Sequence, residues 1–119
     1  MVRAEALKGH LDGLLLAALE AEAQPVHGWA LMARLRESSG GELDLEGGTV
    51  YPVLRRLEES GLIASEWTQA TGRRRRVYSL TPKGRRALAD ERTAWSRFVT
   101  VVGDVLSVTP TPEPGTGTP

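Results

Sequence analysis

Four consecutive arginines, Arg73-Arg74-Arg75-Arg76, follow Gly72. Adjacent guanidiniums repel one another, and an anion offsets that repulsion. Phosphate does so well, because the planar guanidinium donates two parallel hydrogen bonds to it. In an extended segment successive side chains point to opposite faces, so two or three of the four can reach one phosphate backbone; Arg73, Arg74 and Arg75 are the candidates. A second group is Thr49, Tyr51, Pro52 and Arg55. Val50, Val53, Leu54 and Leu57 are spaced as one apolar helix face, and the opposite side carries Tyr51, Pro52, Arg55 and Glu59. Arg55 can donate a bonded pair to a guanine edge, and Tyr51 can bond a phosphate or stack. Thr49 and the free amides of a helical first turn can hold a phosphate. Glu58 and Glu59 lie toward the other end and repel DNA, which restricts contact to the first two turns. The plainer reading of the same residues is a solvated helix face, with Arg55 paired to Glu59, and a solvated charge run. Arg56 reads as a structural or surface charge.

The chain has 119 residues, zero formal net charge and no cysteine, with 40% hydrophobic and 25% charged residues. These values fit one soluble globular domain and exclude disulfide scaffolds, cysteine zinc sites and thiol nucleophiles. The zero total hides an uneven distribution. Residues 1–47 carry four basic and eight acidic groups, residues 48–86 nine and three, and residues 87–119 two and four. Local potential selects partners more than the total does, and the middle block is strongly basic. Lys83, Arg85 and Arg86 extend it. His10 and His27 are the only histidines, with no nucleophile or carboxylate pair at a recognisable spacing around them. Gly47-Gly48-Thr49 lacks the lysine and the preceding strand of a phosphate loop. No enzymatic activity, cofactor or metal is expected. The apolar run Leu14 to Leu19 is too short for a membrane span or a secretory signal, so a cytoplasmic address is expected.

Several elements must position these groups. Leu7, Leu11, Leu14, Leu15, Ala18 and Leu19 mark a first amphipathic helix, stopped by Gln24 and Pro25. A second begins near His27 or Gly28, buries Leu31, Met32 and Leu35, and ends at Ser38-Ser39-Gly40-Gly41. The third holds the Tyr51 and Arg55 face and starts at Thr49, which can cap it, or a few residues earlier, where Gly47 and Gly48 weaken a start; Pro52 falls in its first turn and Gly61 after its end. Leu62 to Thr68 and Arg76 to Leu80 read as two strands joined through Gln69-Ala70-Thr71-Gly72. Their antiparallel pairing places arginines at the hairpin tip and on the returning strand. Thr81-Pro82 starts a last helix that runs to about Ser107. Three short helices followed by a hairpin is the winged helix-turn-helix arrangement, in which the third helix enters the major groove and the wing touches flanking DNA. The expected fold is therefore mainly α with a small β-hairpin. Residues 1–81 form the DNA-binding domain, 82–107 a dimerisation helix and 108–119 a Thr/Pro/Gly-rich disordered tail.

The last helix carries Leu88, Trp95 and Val102 every seven residues, with Phe98, Val99, Val105 and Leu106 beside them. Such a stripe is too long for a small domain to cover alone, which suggests a partner helix. Trp95 has two readings, dimer core or a flat wall for a planar ligand at the dimer axis. Trp29 and Trp67 read as packing residues, although Trp29 could also reach a phosphate.

The stretch Gly48-Thr49-Val50-Tyr51-Pro52-Val53-Leu54-Arg55-Arg56-Leu57-Glu58-Glu59-Ser60-Gly61-Leu62-Ile63 resembles the signature of PadR-like transcriptional regulators. So do Ser65-Glu66-Trp67, Gly72-Arg73, Arg76-Val77-Tyr78 and Leu80-Thr81-Pro82-Lys83-Gly84. Leu7-Lys8-Gly9 and His27-Gly28-Trp29 are similar to the family's first two helices, with Trp29 where tyrosine is often found. The resemblance covers about residues 5–106. It implies a homodimeric repressor of the short subgroup, bound to a double-stranded DNA operator and often responsive to small aromatic or cationic compounds. In some members a tryptophan at the position of Trp95 lines a pore at the dimer centre, so the resemblance sets the ligand reading of Trp95 level with that of dimer core. A winged-helix module docking an acidic protein is the alternative function.

Overall fold

The computed structural model describes residues 2–70 and 72–108. After a 3₁₀ turn at Ala4–Leu7, the order is α1 Leu11–Glu20, β1 Val26–His27, α2 Gly28–Ser38, α3 Gly47–Glu59, β2 Ile63–Ala70, β3 Arg73–Leu80 and α4 Pro82–Leu106. The helical majority and the wing are as expected. The proposed tail lies, from residue 109 on, outside the described residues.

Helix α1 is the hub, packing against α2, α3, β3 and α4. Its Leu15, Leu16 and Leu19 meet Leu31 and Leu35 of α2, Val50, Leu54 and Leu57 of α3, and Leu88 of α4 in one buried cluster. The apolar spacing read from the sequence is thus a true interior face. Leu7 is also buried, but it sits in the preceding turn. Gly9 takes φ +87° there, and α1 begins only at Leu11. The helix stops at Glu20, before Gln24 and Pro25, because the chain turns to enter β1.

The hairpin became a three-stranded antiparallel sheet of order β1-β3-β2. Val26 pairs with Tyr78 and His27 with Val77. A two-residue strand shows no alternation, so nothing in the sequence announced β1. The wing strands are longer than expected. Ala70 pairs with Arg73 and Trp67 with Arg76, so the whole arginine run lies in β3 rather than at a loose tip.

Helix α3 starts at Gly47 with Glu46 before it, so Thr49 is a first-turn residue and not the cap. Pro52 consequently lies past the first turn. The bond it would donate to the Gly48 carbonyl is missing, at a point where Gly48 is open to water. The other end closes as the sequence suggests. Gly61 takes φ +78°, its N–H bonds Glu58 O at 2.9 Å, and Leu62 N–H bonds Leu57 O at 2.9 Å. This is the paired bond pattern of a glycine-stopped helix.

Helix α4 begins where Thr81 Oγ1 accepts the Gly84 N–H at 3.0 Å, with Pro82 just inside. Gly84 is buried against the chain leaving α3. A Cβ there would overlap the Leu62 carbonyl oxygen and sit 2.8 Å from Leu80 Cδ1. Backbone cannot swing aside as a side-chain tip can, so Gly84→Ala is expected to cost about 1–3 kcal/mol. A thermal melt should show Tm lowered by roughly 5–20 °C; an unchanged Tm would mean that α4 is free to lift off β2.

Candidate nucleic-acid interface

The outer face of α3 carries Tyr51, Pro52 and Arg55, all exposed, while Val50, Val53, Leu54 and Leu57 are buried behind them. The Tyr51 ring is fixed by two glycines. A Cβ on Gly28 would stand 2.5–2.8 Å from the outer ring atoms and hydroxyl, and one on Gly47 3.2–3.3 Å from the other ring edge. The ring thus spans the start of α2 and the start of α3. Gly28→Ala is expected to displace this exposed ring at little cost in Tm, and to weaken duplex binding severalfold in a fluorescence-anisotropy titration. Undiminished binding would remove Tyr51 from the contact list.

Arg55 makes no hydrogen bond or ion pair among the described residues, so the pairing with Glu59 that would have occupied it is absent. Its neighbour Arg56 is committed elsewhere. Both terminal nitrogens donate to the Asp12 carboxylate, at 2.9 and 2.8 Å, pinning α3 to α1. Glu58 is neutralised within the fold. Its Oε2 accepts from Ser65 Oγ at 2.7 Å and from Arg76 Nη2 at 3.3 Å, while Arg76 Nε donates to Ser65 Oγ at 2.8 Å. This network ties the wing to the end of α3 and takes Arg76 out of the free cations.

Arg73, Arg74 and Arg75 have no carboxylate partner among the described residues. Strand alternation puts Arg74, Arg76 and Tyr78 on one face and Arg73, Arg75 and Val77 on the other. Trp67 shares the first face. The Arg74 guanidinium carbon lies 4.6 Å from the centroid of its ring and that of Arg76 5.3 Å. These are cation–π distances. Trp67 and Trp29 are therefore not packing residues: they are 53% and 56% exposed. Trp29 stacks on His27 at 6.0 Å with the rings 15° apart.

These elements enclose a cleft of about 300 Å³ between the start of α2, Tyr51 and the wing. His27, Gly28, Trp29, Tyr51, Trp67, Arg73 to Arg76 and Tyr78 line it. Burial raises the Tyr78 phenol above its ordinary value, against the opposing pull of Arg76, so it stays a neutral donor. The structure brings Tyr51 and the wing arginines to this one cleft. Thr49, Pro52 and Arg55 are not part of its lining. His27 and Trp67 were not among the candidates read from the sequence, and Trp29 was read first as a packing residue that could also reach a phosphate. The signal for Trp67 was the hairpin register, which sets it opposite Arg76.

A second concavity, apolar and about 750 Å³, runs between the N-terminal segment, α1 and α4. Trp95 stands in its wall, with its ring 5.1 Å from His10, edge to face, and stacked on Phe98 at 5.4 Å. Arg92 donates to Glu20 Oε1 at 2.8 Å along the same seam and holds that carboxyl below the usual range. Leu88 does not belong to the open stripe. It is 2% exposed because α1 covers it, so it forms the floor of the concavity and part of the core. Val99 and Val102 are half-buried, and Trp95 and Phe98 are about half exposed.

Comparison with known proteins agrees with this geometry. Residues 15–90 match the Transcriptional regulator PadR-like family. The transcriptional regulator Rv3488 of Mycobacterium tuberculosis is 55% identical over 47 residues, 40% of this chain and 44% of that protein. The match thus spans less than half of that relative. A PadR family transcriptional regulator from Eggerthella lenta superposes with TM-score 0.76 at 33% identity, covering 88% of each chain. A transcriptional regulator from Clostridium thermocellum, 22% identical, shares the fold with TM-score 0.77 over 85% of this chain and 97% of its own. These proteins are transcriptional regulators and not enzymes. With a winged helix on which Arg55 and three wing arginines have no carboxylate partner among the described residues, the chain belongs to the PadR-like family of transcriptional regulators, a winged-helix DNA-binding family.

Proposed function

We propose that the chain is a homodimeric, cytoplasmic repressor that grips a near-palindromic operator through two copies of α3 and two wings. The observation that carries this reading is the division of labour among the basic groups. Arg55 stands free on the outer face of α3, beside a fixed Tyr51, while Arg56 and Arg76 are held by Asp12 and Glu58. In this reading Arg55 reads base edges in the major groove. Tyr51, Thr49, Pro52, Arg73, Arg74 and Arg75 seat the protein on the backbone. Two recognition helices about 34 Å apart meet successive major-groove faces. Occluding a promoter needs no surface beyond this interface, which makes repression the reading that asks least of the molecule.

Residues 1–81 act as the DNA-binding unit and 82–107 as the dimerisation helix. Support for the dimer comes from Trp95, Phe98, Val101, Val105 and Leu106, which among the described residues stay about half exposed or more on α4. An apolar concavity of about 750 Å³ is of a size that holds a small planar aromatic compound, and the stacked Trp95 and Phe98 supply a flat wall for it. Among the described residues no helix is long and apolar enough to cross a membrane.

Selection of duplexes from a random pool tests the reading, and should return inverted repeats. On the selected duplex, Arg55→Ala is expected to cost about 1–3 kcal/mol and to relax preference at one position of each half-site. Equal losses on selected and random duplexes would take base reading away from Arg55.

A further inference from the structure

The cleft between the start of α2 and the wing has a composition that its general place on a DNA-facing surface does not require. Four wing arginines line it, and no carboxylate does. One of the four, Arg76, is paired with Glu58; the other three have no carboxylate partner among the described residues. Helix α2 opens onto the cleft at Gly28, and its preceding residue, His27, makes no side-chain capping bond. The first-turn amides and the positive end of the helix dipole are therefore available to an anion. His27 lines the same space. The remaining walls are rings: Trp29, Tyr51, Trp67 and Tyr78.

From this juxtaposition we propose that the cleft is a discrete site for one phosphate ester, with the phosphate on the wing guanidiniums and the α2 amides and the attached sugar or base against Trp29 and Trp67. Trp67 holds the Arg74 guanidinium over its ring, which favours its order before the anion arrives. A bare inorganic anion would use the cations and leave the aromatic walls idle, whereas a nucleotide uses both. The ester can come from a duplex backbone or from a free nucleotide. The proposal rests on the DNA-binding reading only for the first source.

The chain's three tryptophans make the test direct, because two lie in the cleft and Trp95 lies on α4. Indole N–H signals are followed by NMR as thymidine 5′-monophosphate, thymidine or inorganic phosphate is added. The monophosphate is expected to shift Trp29 and Trp67 and leave Trp95 in place, with affinity in the millimolar range that a few charge-assisted hydrogen bonds supply. Thymidine is expected to shift none of the three, and phosphate alone to bind more weakly than the ester. The double variant Arg74→Ala/Arg75→Ala, checked for folding by circular dichroism, should lose the response. In a second arm, single methylphosphonate substitutions are scanned along a selected duplex. One position per half-site at which the neutral linkage weakens wild-type binding at least fivefold, but not binding by the double variant, supports the site and assigns it to the backbone. A response to monophosphate with no such position supports the site and assigns it to free nucleotide. Equal shifts with thymidine, or blank results in both arms, overturn the proposal. Sequence-specific binding that persists alongside blank arms leaves the reading of α3 standing.

Discussion

Replacing Arg73, Arg74 and Arg75 together with alanine is expected to weaken duplex binding about 10²–10³-fold, equally on selected and random sequences, at roughly tenfold per charge-assisted contact. The three are the wing cations without carboxylate partners among the described residues, and they lie on a strand whose pairing with β2 is regular to its end. Each phosphate they neutralise releases condensed counterions. The slope of log K against log salt should therefore shrink by about 2–3 in the triple variant, close to one per lost contact. Arg76→Ala is the control. Its guanidinium is spent on Glu58 and Ser65, so its loss should loosen the wing, lower Tm and leave the salt slope nearly unchanged. Fluorescence anisotropy across a series of KCl concentrations separates the two. A triple variant with the wild-type slope would place the wing away from the DNA.

Strong periodicity was legible in the sequence, and juxtaposition across elements was not. Val50, Val53, Leu54 and Leu57 named the buried face of α3, and hence the outward side of Tyr51 and Arg55, because a helix converts spacing into direction. Thr81-Pro82 named the start of α4 because a cap is a local device. The start of α3 stayed open between Thr49 and a few residues earlier because two glycines weaken a helix in isolation, whereas packing of Val50 and Leu54 on α1 and α2 overrides that local penalty and sets it at Gly47. The fates of the arginines depended on partners far along the chain. Asp12 claims Arg56 from 44 residues away and Glu58 claims Arg76 from 18, so no local pattern could separate them from Arg55 and Arg74. The juxtaposition of His27 and Trp29 with the wing was equally hidden. Their neighbour on the sheet is β3, about 50 residues later in the chain, and β1 is too short to give a strand signal. Leu88 shows the reverse error. Its seven-residue relation to Trp95 is real, but only the part of the stripe beyond the cover of α1 remains open.

Trp95→Asp is expected to convert the protein to monomer at micromolar concentration and to lower affinity for a palindromic duplex about 10²–10⁴-fold. Helix α4 is 25 residues, about 37 Å long. Its first half is anchored by Gly84 and Leu88, while its second half offers Trp95 at 48%, Phe98 at 52% and Val105 at 79% exposure. A contiguous apolar face of this kind gains from being covered by a partner. A carboxylate at its centre must either be stripped of water or keep the helices apart, and desolvation without a cationic partner costs several kcal/mol. The nearest ring neighbours of Trp95 are His10 and Phe98, on the open side of the concavity, so the fold of the single subunit should survive with little change in Tm. Two covalently separate recognition helices then lose the high effective concentration that a dimer gives the second half-site, whereas binding to an isolated half-site stays as in the wild type. Trp95→Phe keeps an apolar ring and should remain dimeric. Sedimentation equilibrium and titration of full and half operators read all of this. An aspartate variant that sediments as a dimer and holds the palindrome as tightly as before would move the subunit contact off this face of α4.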